Sequence, residues 1–390
     1  MSQYKIITLS YWISTFCEGA ARIIIPLYFA SMGLNATKIA LLFVIFELFG
    51  LITSMNAGFF INRFGYRIAF LIALLLHSIA SWGYLGIGYG PLWASIILIN
   101  SLRGTRGIAK ELIKTTSTSY LRHIPKRKHA ANILIGGKDT TKGLGLLTGS
   151  ILLTYFSFKF SFFVLGILTL TMLIIASISI KDFREIEKIS YNRFFSVSNK
   201  MIKLASIRAL LYAGRDLWIV VILPIYLTQL SLTNTKIGLI IASGLTLFGV
   251  IQPLTSIIIK SKWIIGRRYL KRKWTYESSL TPSMISLVII PILFAILPHT
   301  ILTILLCVIS YNIFAGIATT PHNFLHIKFA RRHRASIDIS FYKSISLIGK
   351  ITAIFLSGIL FDKFGIKGCL YTASICLLIG CIVSTTIPPK

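Results

Sequence analysis

"PLYFASMGLNATKIALL" (26–42) and "PIYLTQLSLTNTKIGLI" (224–240) align without a gap, and each is followed by a Phe-Gly pair, Phe49-Gly50 and Phe248-Gly249. A second pair of stretches, "RKHAAN…GLLTGSILLTYFSF" (127–158) and "RHRAS…FLSGILFDKFG" (332–365), repeats at nearly the same offset of about 200 residues. Two matches at one spacing mark a chain built twice from one plan, and such a period governs every later step of the reading.

The composition says what that plan is made for. Of 390 residues, 55% are hydrophobic and only 13% charged, against about 25% charged in soluble domains. Mean hydropathy is +0.78. This is the profile of a protein that crosses a membrane many times. The net charge of +30, from 41 basic and 11 acidic residues, needs a soluble basic face before it points to nucleic acid. No polar stretch here is longer than a loop, so nucleic acid is excluded as a partner and basic loops are read as topology signals. Cys17, Cys307, Cys369, Cys376 and Cys381 all lie in apolar runs, without metal-ligand spacing, and are expected to be inert core residues. The first apolar run is broken by Glu18 and Arg22 and reads as a span, not a cleaved signal.

A span needs about 20 mostly apolar residues. On that ruler the chain divides into about twelve, at roughly 5–31, 37–61, 66–88, 91–118, 130–154, 159–180, 205–230, 236–260, 280–298, 300–327, 334–361 and 367–387. Alternate connections are basic: "NRFGYR" (62–67), "RHIPKRKH" (122–129), 181–203, "KSKWIIGRRYLKRK" (260–273) and "KFARRHR" (328–334). The intervening ones, such as "GIGYGP" (86–91), are nearly uncharged. The positive-inside rule puts the basic loops and both termini in the cytoplasm of a multi-pass inner-membrane protein. A parallel repeat of two six-span halves joined by one long loop resembles the build of major-facilitator transporters. The expected fold is all-α, with bundles at 1–180 and 205–390 related by a pseudo-two-fold axis and a linker at 181–204. "GFFINRFGYR" (58–67) resembles that superfamily's signature through Gly58, Arg63, Gly65 and Arg67, with Asn62 where the signature carries an acid; it is the expected gating motif. "GLGLLTGSILL" (143–153) resembles its Gly-rich fifth-helix motif, where small residues allow close packing.

Charges inside spans are expensive and mark function. Arg103, Arg106, Lys110 and Lys114 follow an i, i+3, i+7, i+11 pattern on one helical face. Arg103 lies roughly 18 Å below Pro91 in a core about 30 Å thick, too deep to reach an interface. Lys114 is expected to snorkel, and Glu111 neutralises one cation of the four. Further cations stand at Arg22, Lys138, Lys142, Arg215, Lys343 and Lys350, and acids at Glu18, Asp139 and Asp216. The repeat sets Lys343 opposite Lys138 and Asp216 on Glu18. Cations exceed acids, so a transported anion is the economical occupant, and planar Arg forks suit phosphate and carboxylate oxygens. Arg22, Arg103, Arg106, Lys110, Lys138, Lys142, Arg215 and Lys343 are the candidate cargo ligands. Glu18, Asp139 and Asp216 either relay protons or pair with a neighbouring base, and pairing is the simpler reading.

A narrower resemblance runs through "YWISTFCEGAARIIIPLYF" (11–29), "IALLFVIFELFGLITSMNAGFFINRFG" (39–65), "GIAKELIKTTSTS" (107–119), "GGKDTTKGLGLLTGSILL" (136–153) and "ALLYAGRDLWIVVILPIYL" (209–227). These segments resemble the organoarsenical efflux permeases of the major facilitator superfamily. The resemblance implies export of 1-arseno-3-phosphoglycerate, the product formed when glyceraldehyde-3-phosphate dehydrogenase takes arsenate for phosphate. That dehydrogenase is then the functional partner. Gly107, Ala109, Lys110, Lys114, Lys138, Lys142, Arg215 and Asp216 are the positions it covers. An anion at each end of the cargo would meet Arg103 and Arg106 on one side and Lys138, Lys142 or Arg215 on the other.

Other classes fit less well. A non-transporting scaffold has no use for buried cations, and a membrane enzyme would need a nucleophile, metal or acid–base set. His333 and Asp338 have an H-x4-D spacing too short to specify catalysis. His322 and His326, one turn apart, lack a third ligand and read as packing residues. No cofactor or metal is expected, and the chain is read as a monomer whose partners are a small anion and the bilayer. The nearest rival is a facilitator for another phosphorylated or carboxylate metabolite, by proton coupling or exchange.

Overall fold

A computed structural model describes residues 3–89, 91–120, 127–181, 197–260, 276, 278–329 and 335–387. Among them it is all-helical. The first half comprises α1 (Gln3–Ser31), α2 (Ala36–Phe64), α3 (Tyr66–Gly83), α4 (Leu92–Tyr120), α5 (Arg127–Tyr155) and α6 (Phe158–Ser179). The second comprises α7 (Asn199–Asp216), α8 (Ile222–Gln229), α9 (Asn234–Lys260), α10 (Leu280–Ile296), α11 (Ile301–Phe329) and α12 (Ala335–Thr385). Two features reconcile these with twelve spans. The seventh is broken into α7 and α8, and α12 folds back at Gly365, whose φ of 65° lies where glycine has no Cβ to clash. The eleventh and twelfth spans are its two arms.

Sequence dictates the starts and stops. Asn35 accepts from Lys38 N at 3.1 Å to begin α2, and Ser157 accepts from Phe160 N at 3.1 Å to begin α6. Ser198 accepts from Met201 N at 3.4 Å, so α7 begins at Asn199, six residues before the expected start at 205. The seventh span carries a break its repeat mate α1 lacks. After Asp216 the chain turns, and Leu223 N bonds back to Trp218 O at 2.7 Å, an i→i−5 bond of the π type often found beside functional sites.

Within the first half α3 packs on α4 and α6, α1 on α5 and α6, and α2 on α4; within the second α12 packs on α7 and α10, and α11 on α9. The halves meet along α5 with α9 and α2 with α12. Close approach depends on small residues, as the Gly-rich reading expects. A Cβ on Gly145 would stand 2.1 Å from Phe16 O of α1, and one on Gly107 2.1 Å from Phe46 O of α2. Leu41, Ile52, Ile79, Ile97, Ile178, Ile257, Leu302 and Ile382 point outward and are exposed, an apolar belt suited to lipid. Seven helices among the described residues are long and apolar enough to cross a membrane. The charged helices α4 and α5 are not among them.

With alternating spans, the helix ends that border the basic connections lie at one end of the molecule, the basic end. Gln3 Nε2 donates to Lys181 O at 2.8 Å, and Lys203 Nζ to Thr386 O at 3.3 Å, which ties both chain ends to that basic end.

Candidate anion site between the halves

Nine basic side chains converge where the halves meet, in two tiers. Farther from the basic end lie Arg22, Lys110, Lys142, Arg215 and Lys350; nearer to it lie Lys114, Lys138, Arg208 and Lys343. The register of four helices sets the tiers. Arg208 precedes Arg215, and Lys343 precedes Lys350, by seven residues, about 10 Å of helix. Lys138 precedes Lys142, and Lys110 precedes Lys114, by four, about 6 Å.

Five carboxylates answer them. Glu47 of α2 is the hub of the far tier. It accepts from Arg22 Nη2 at 3.1 Å, from Lys110 Nζ at 3.0 Å and, across the divide, from Lys350 Nζ of α12. Glu18 stands 3.7 Å from Arg22 and 3.5 Å from Arg106. Asp216 takes Arg215 Nε at 2.5 Å. In the near tier Glu111 takes Lys114 at 2.9 Å and reaches Lys110 at 3.4 Å. Asp139 stands 3.4 Å from Lys138 and accepts from Gln252 Nε2 of α9 at 3.1 Å, again across the divide. All five have a basic neighbour within 4 Å. Lys142, Arg208 and Lys343, by contrast, pair with no carboxylate among the described residues.

Exposure within the cluster is uneven: Arg208 is 6% exposed in the near tier and Arg215 19% in the far one, while lysines of α4 and α5 are more open. Along α4 side-chain exposure climbs from nothing at Arg106 to 20% at Lys110 and 26% at Lys114; Lys138 is also 26% exposed, while Lys350 deeper in is 7%. At the end opposite the basic one the halves are joined. Asp362 of α12 accepts from Ala36 N at 3.2 Å, Thr37 N at 3.0 Å and Thr37 Oγ1 at 2.5 Å at the start of α2. Thr235 of α9 donates to Thr154 of α5 at 3.1 Å. The protein is therefore captured closed at the far end, with Lys114 and Lys138 partly exposed nearer the basic one.

The structure separates the four cations of α4. Lys110 and Lys114 belong to the cluster between the halves, paired with Glu47 and Glu111. Arg103 and Arg106 are turned into the first bundle, so the expected cargo role of these two is not met in this state. Arg103 is fully buried, donates through Nε to Leu42 O at 3.1 Å and lies 4.5 Å over both Phe43 and Phe46. Arg106 donates to Cys17 O at 3.0 Å and Ser81 Oγ at 3.2 Å. At their level α4 is packed against α1, α2 and α3, whose carbonyls, rings and hydroxyls supply part of the partners; Arg103 Nη1 and Nη2 and Arg106 Nε have no hydrogen-bond partner. Arg22, Lys138, Lys142, Arg215, Lys343, Glu18, Asp139 and Asp216 are all brought together.

The gating motif stands apart at the basic end. Gly65, with φ 87°, turns α2 into α3 and its N–H bonds to Ile61 O; Arg67 donates to Ser177 O of α6 at 2.9 Å, and exposed Arg63 lies over Phe64. Gly58 faces open space, and the Asn62 side chain and His333 lie outside the described residues. Asp338 is buried in the first turn of α12. Among the described residues no three His, Cys, Asp or Glu side chains cluster as metal ligands. The five cysteines are unpaired thiols, all buried or half-buried.

Sequence reasoning missed Glu47 and Arg208. The signal for Glu47 was available: one acid in the apolar run "IALLFVIFELFG" (39–50). Arg208 was hidden by the assumed start of its span, which placed it at an interface.

The family model described as Major Facilitator Superfamily matches residues 7–353. The chain therefore belongs to this family of membrane transporters. Its fold is similar to the crystal structure of a D-xylose-proton symporter, with a TM-score of 0.74 over 100% of this chain and 99% of that one, at 13% sequence identity. No curated protein sequence matches the chain.

Proposed function

We propose that the protein exports a small anionic phosphorylated metabolite by alternating access, and that the cargo is the organoarsenical 1-arseno-3-phosphoglycerate, so that the transporter confers arsenate resistance. The observation that carries the anionic part is the cation excess: nine bases against five carboxylates between the halves, with Lys142, Arg208 and Lys343 unanswered among the described residues. Each uncompensated cation at membrane depth costs about 2.5–3.5 kcal/mol on insertion scales. A bound anion offsets that cost. Tiers about 6–10 Å apart suit an anion with a charged group at each end, one seated among Arg22, Lys142 and Lys350 and the other nearer the basic end. The arsenical identity rests on the resemblance in spans one, two, four, five and seven, and makes glyceraldehyde-3-phosphate dehydrogenase the supplier of cargo at the cytoplasmic face, where we place the basic end and both termini.

The five carboxylates of the site serve as counter-charges, each within 4 Å of a base. Export needs no proton: with the cell interior negative, each negative charge leaving gains about 2.3 kcal/mol per 100 mV. The test is arsenic accumulation by inside-out vesicles supplied with the dehydrogenase, its nicotinamide cofactor, glyceraldehyde 3-phosphate and arsenate. Uptake is expected only with the dehydrogenase present and is lost in Lys142→Gln. Uptake of 3-phosphoglycerate instead, without arsenic, would move the cargo to an ordinary phosphorylated metabolite.

A further inference from the structure

The near tier holds two buried polar groups with unsatisfied nitrogens, to which the two-ended cargo reading assigns no part. Arg208 is 6% exposed and pairs with no carboxylate among the described residues. Its Nη2 donates to Tyr212 Oη at 3.0 Å, its guanidinium lies 4.5 Å from the Tyr212 ring centroid, and Nη1 has no partner. His322 of α11 is fully buried. Its Nδ1 meets Tyr342 Oη at 3.4 Å, and its Nε2 has no partner. Arg208 lies within electrostatic range of both His322 and Tyr342. From the first half, Lys114 and Lys138 are within range of Tyr212.

A buried fork with one nitrogen unsatisfied is costly; unlike Arg103, whose guanidinium lies against Phe43 and Phe46 inside one bundle, Arg208 stands beside a second group with an unsatisfied nitrogen, His322. The chemistry of the set is selective. It offers a planar guanidinium, a phenol and an imidazole with no carboxylate paired to any of them among the described residues, flanked by Lys114 and Lys138, which are paired to Glu111 and Asp139. That is a set of donors for an oxyanion with several oxygens at once. A neutral sugar would leave the guanidinium uncompensated.

We infer that Arg208, Tyr212, His322 and Tyr342 form a seat for a tetrahedral oxyanion, the phosphate end of the cargo, met on the way in from the basic end and about 10 Å short of Arg215. This rests on the anion-transport reading and adds where one end docks. The phosphate enters the near seat first and the other end reaches the far tier, where it competes with Glu47 for Arg22, Lys110 and Lys350.

The experiment is equilibrium dialysis of radiolabelled inorganic phosphate against the purified full chain in lipid nanodiscs, run beside vesicle transport. Arg208→Gln is expected to weaken phosphate binding at least tenfold in a Lys142→Gln background, where the far tier is already impaired. Arg208→Lys, which keeps the charge and loses the fork, should fall between and guards against a folding defect in the glutamine variant. Phosphate binding unchanged by both Arg208 variants overturns the seat and leaves the transport reading standing. No phosphate binding by the unaltered chain, together with no anion transport, overturns both.

Discussion

Glu47 shows how one residue can govern a cavity. A single carboxylate shared by Arg22, Lys110 and Lys350 holds three cations that would otherwise repel one another, and one of the three comes from the opposite half. Removing one partner of a buried ion pair costs about 3–5 kcal/mol. Glu47→Gln is therefore expected to lower the melting temperature of the purified protein, and added phosphate should restore part of the loss by filling the vacated place; a melting temperature that stays put would deny Glu47 its role as hub. Lys142 predicts the reverse. It has no carboxylate to lose, so Lys142→Gln should abolish transport while leaving thermal stability the same or higher, read by scanning fluorimetry beside vesicle uptake. Arg103→Ala should destabilise instead, since its side chain fills the space between Phe43 and Phe46; a stable, transport-dead Arg103→Ala would return that residue to the cargo path.

Among the elements, α4 is decisive because it changes allegiance along its length. Its middle turns aim Arg103 and Arg106 into the first bundle, Lys110 and Lys114 beyond them aim toward the cation cluster, and Gly107 stands at the change, with the α2 backbone against it. A Cβ there would collide with Phe46 O, and backbone cannot move aside as a side chain can. Gly107→Val is expected to prevent α2 and α4 from docking, giving little monodisperse protein by size-exclusion chromatography. On α7 the early start at Asn199 sinks Arg208 below the level that an interface residue would occupy, and the break after Asp216 leaves Arg215 and its acid at a helix end. Periodicity reports neither feature. Capping by Ser198 and an i→i−5 bond are local choices that a hydropathy window averages away.

For the whole molecule, closure at one end and access at the other define the state. Asp362 fastens α12 to the start of α2, while the near-tier lysines remain wet. In a cysteine-free background, a cysteine replacing Tyr89, 80% exposed on the loop after α3, should react with an impermeant maleimide in intact cells. One replacing Lys138 should react only in inside-out vesicles. Equal labelling from the outside would reverse the sidedness proposed for the basic end. Adding Asp362→Ala should raise the outside labelling at 138 by loosening the far-end closure.

Patterns along the chain were sufficient for the large architecture: repeated segments near a 200-residue offset, apolar runs of membrane length and alternating basic loops each depend on sequence spacing alone. They also named most of the converging charges, since an ionisable residue in an apolar run announces itself. Tertiary structure alone decided how those charges divide. Arg103 and Lys110 share a helix face and a positive charge, yet one meets a carbonyl and rings inside a bundle and the other pairs with Glu47 and Glu111. Which acceptors stand at each level depends on neighbouring helices hundreds of residues away, as Glu47 and Lys350 show across 303 positions. Helical periodicity fixes the direction of a side chain about its own axis, and only packing determines what it meets there.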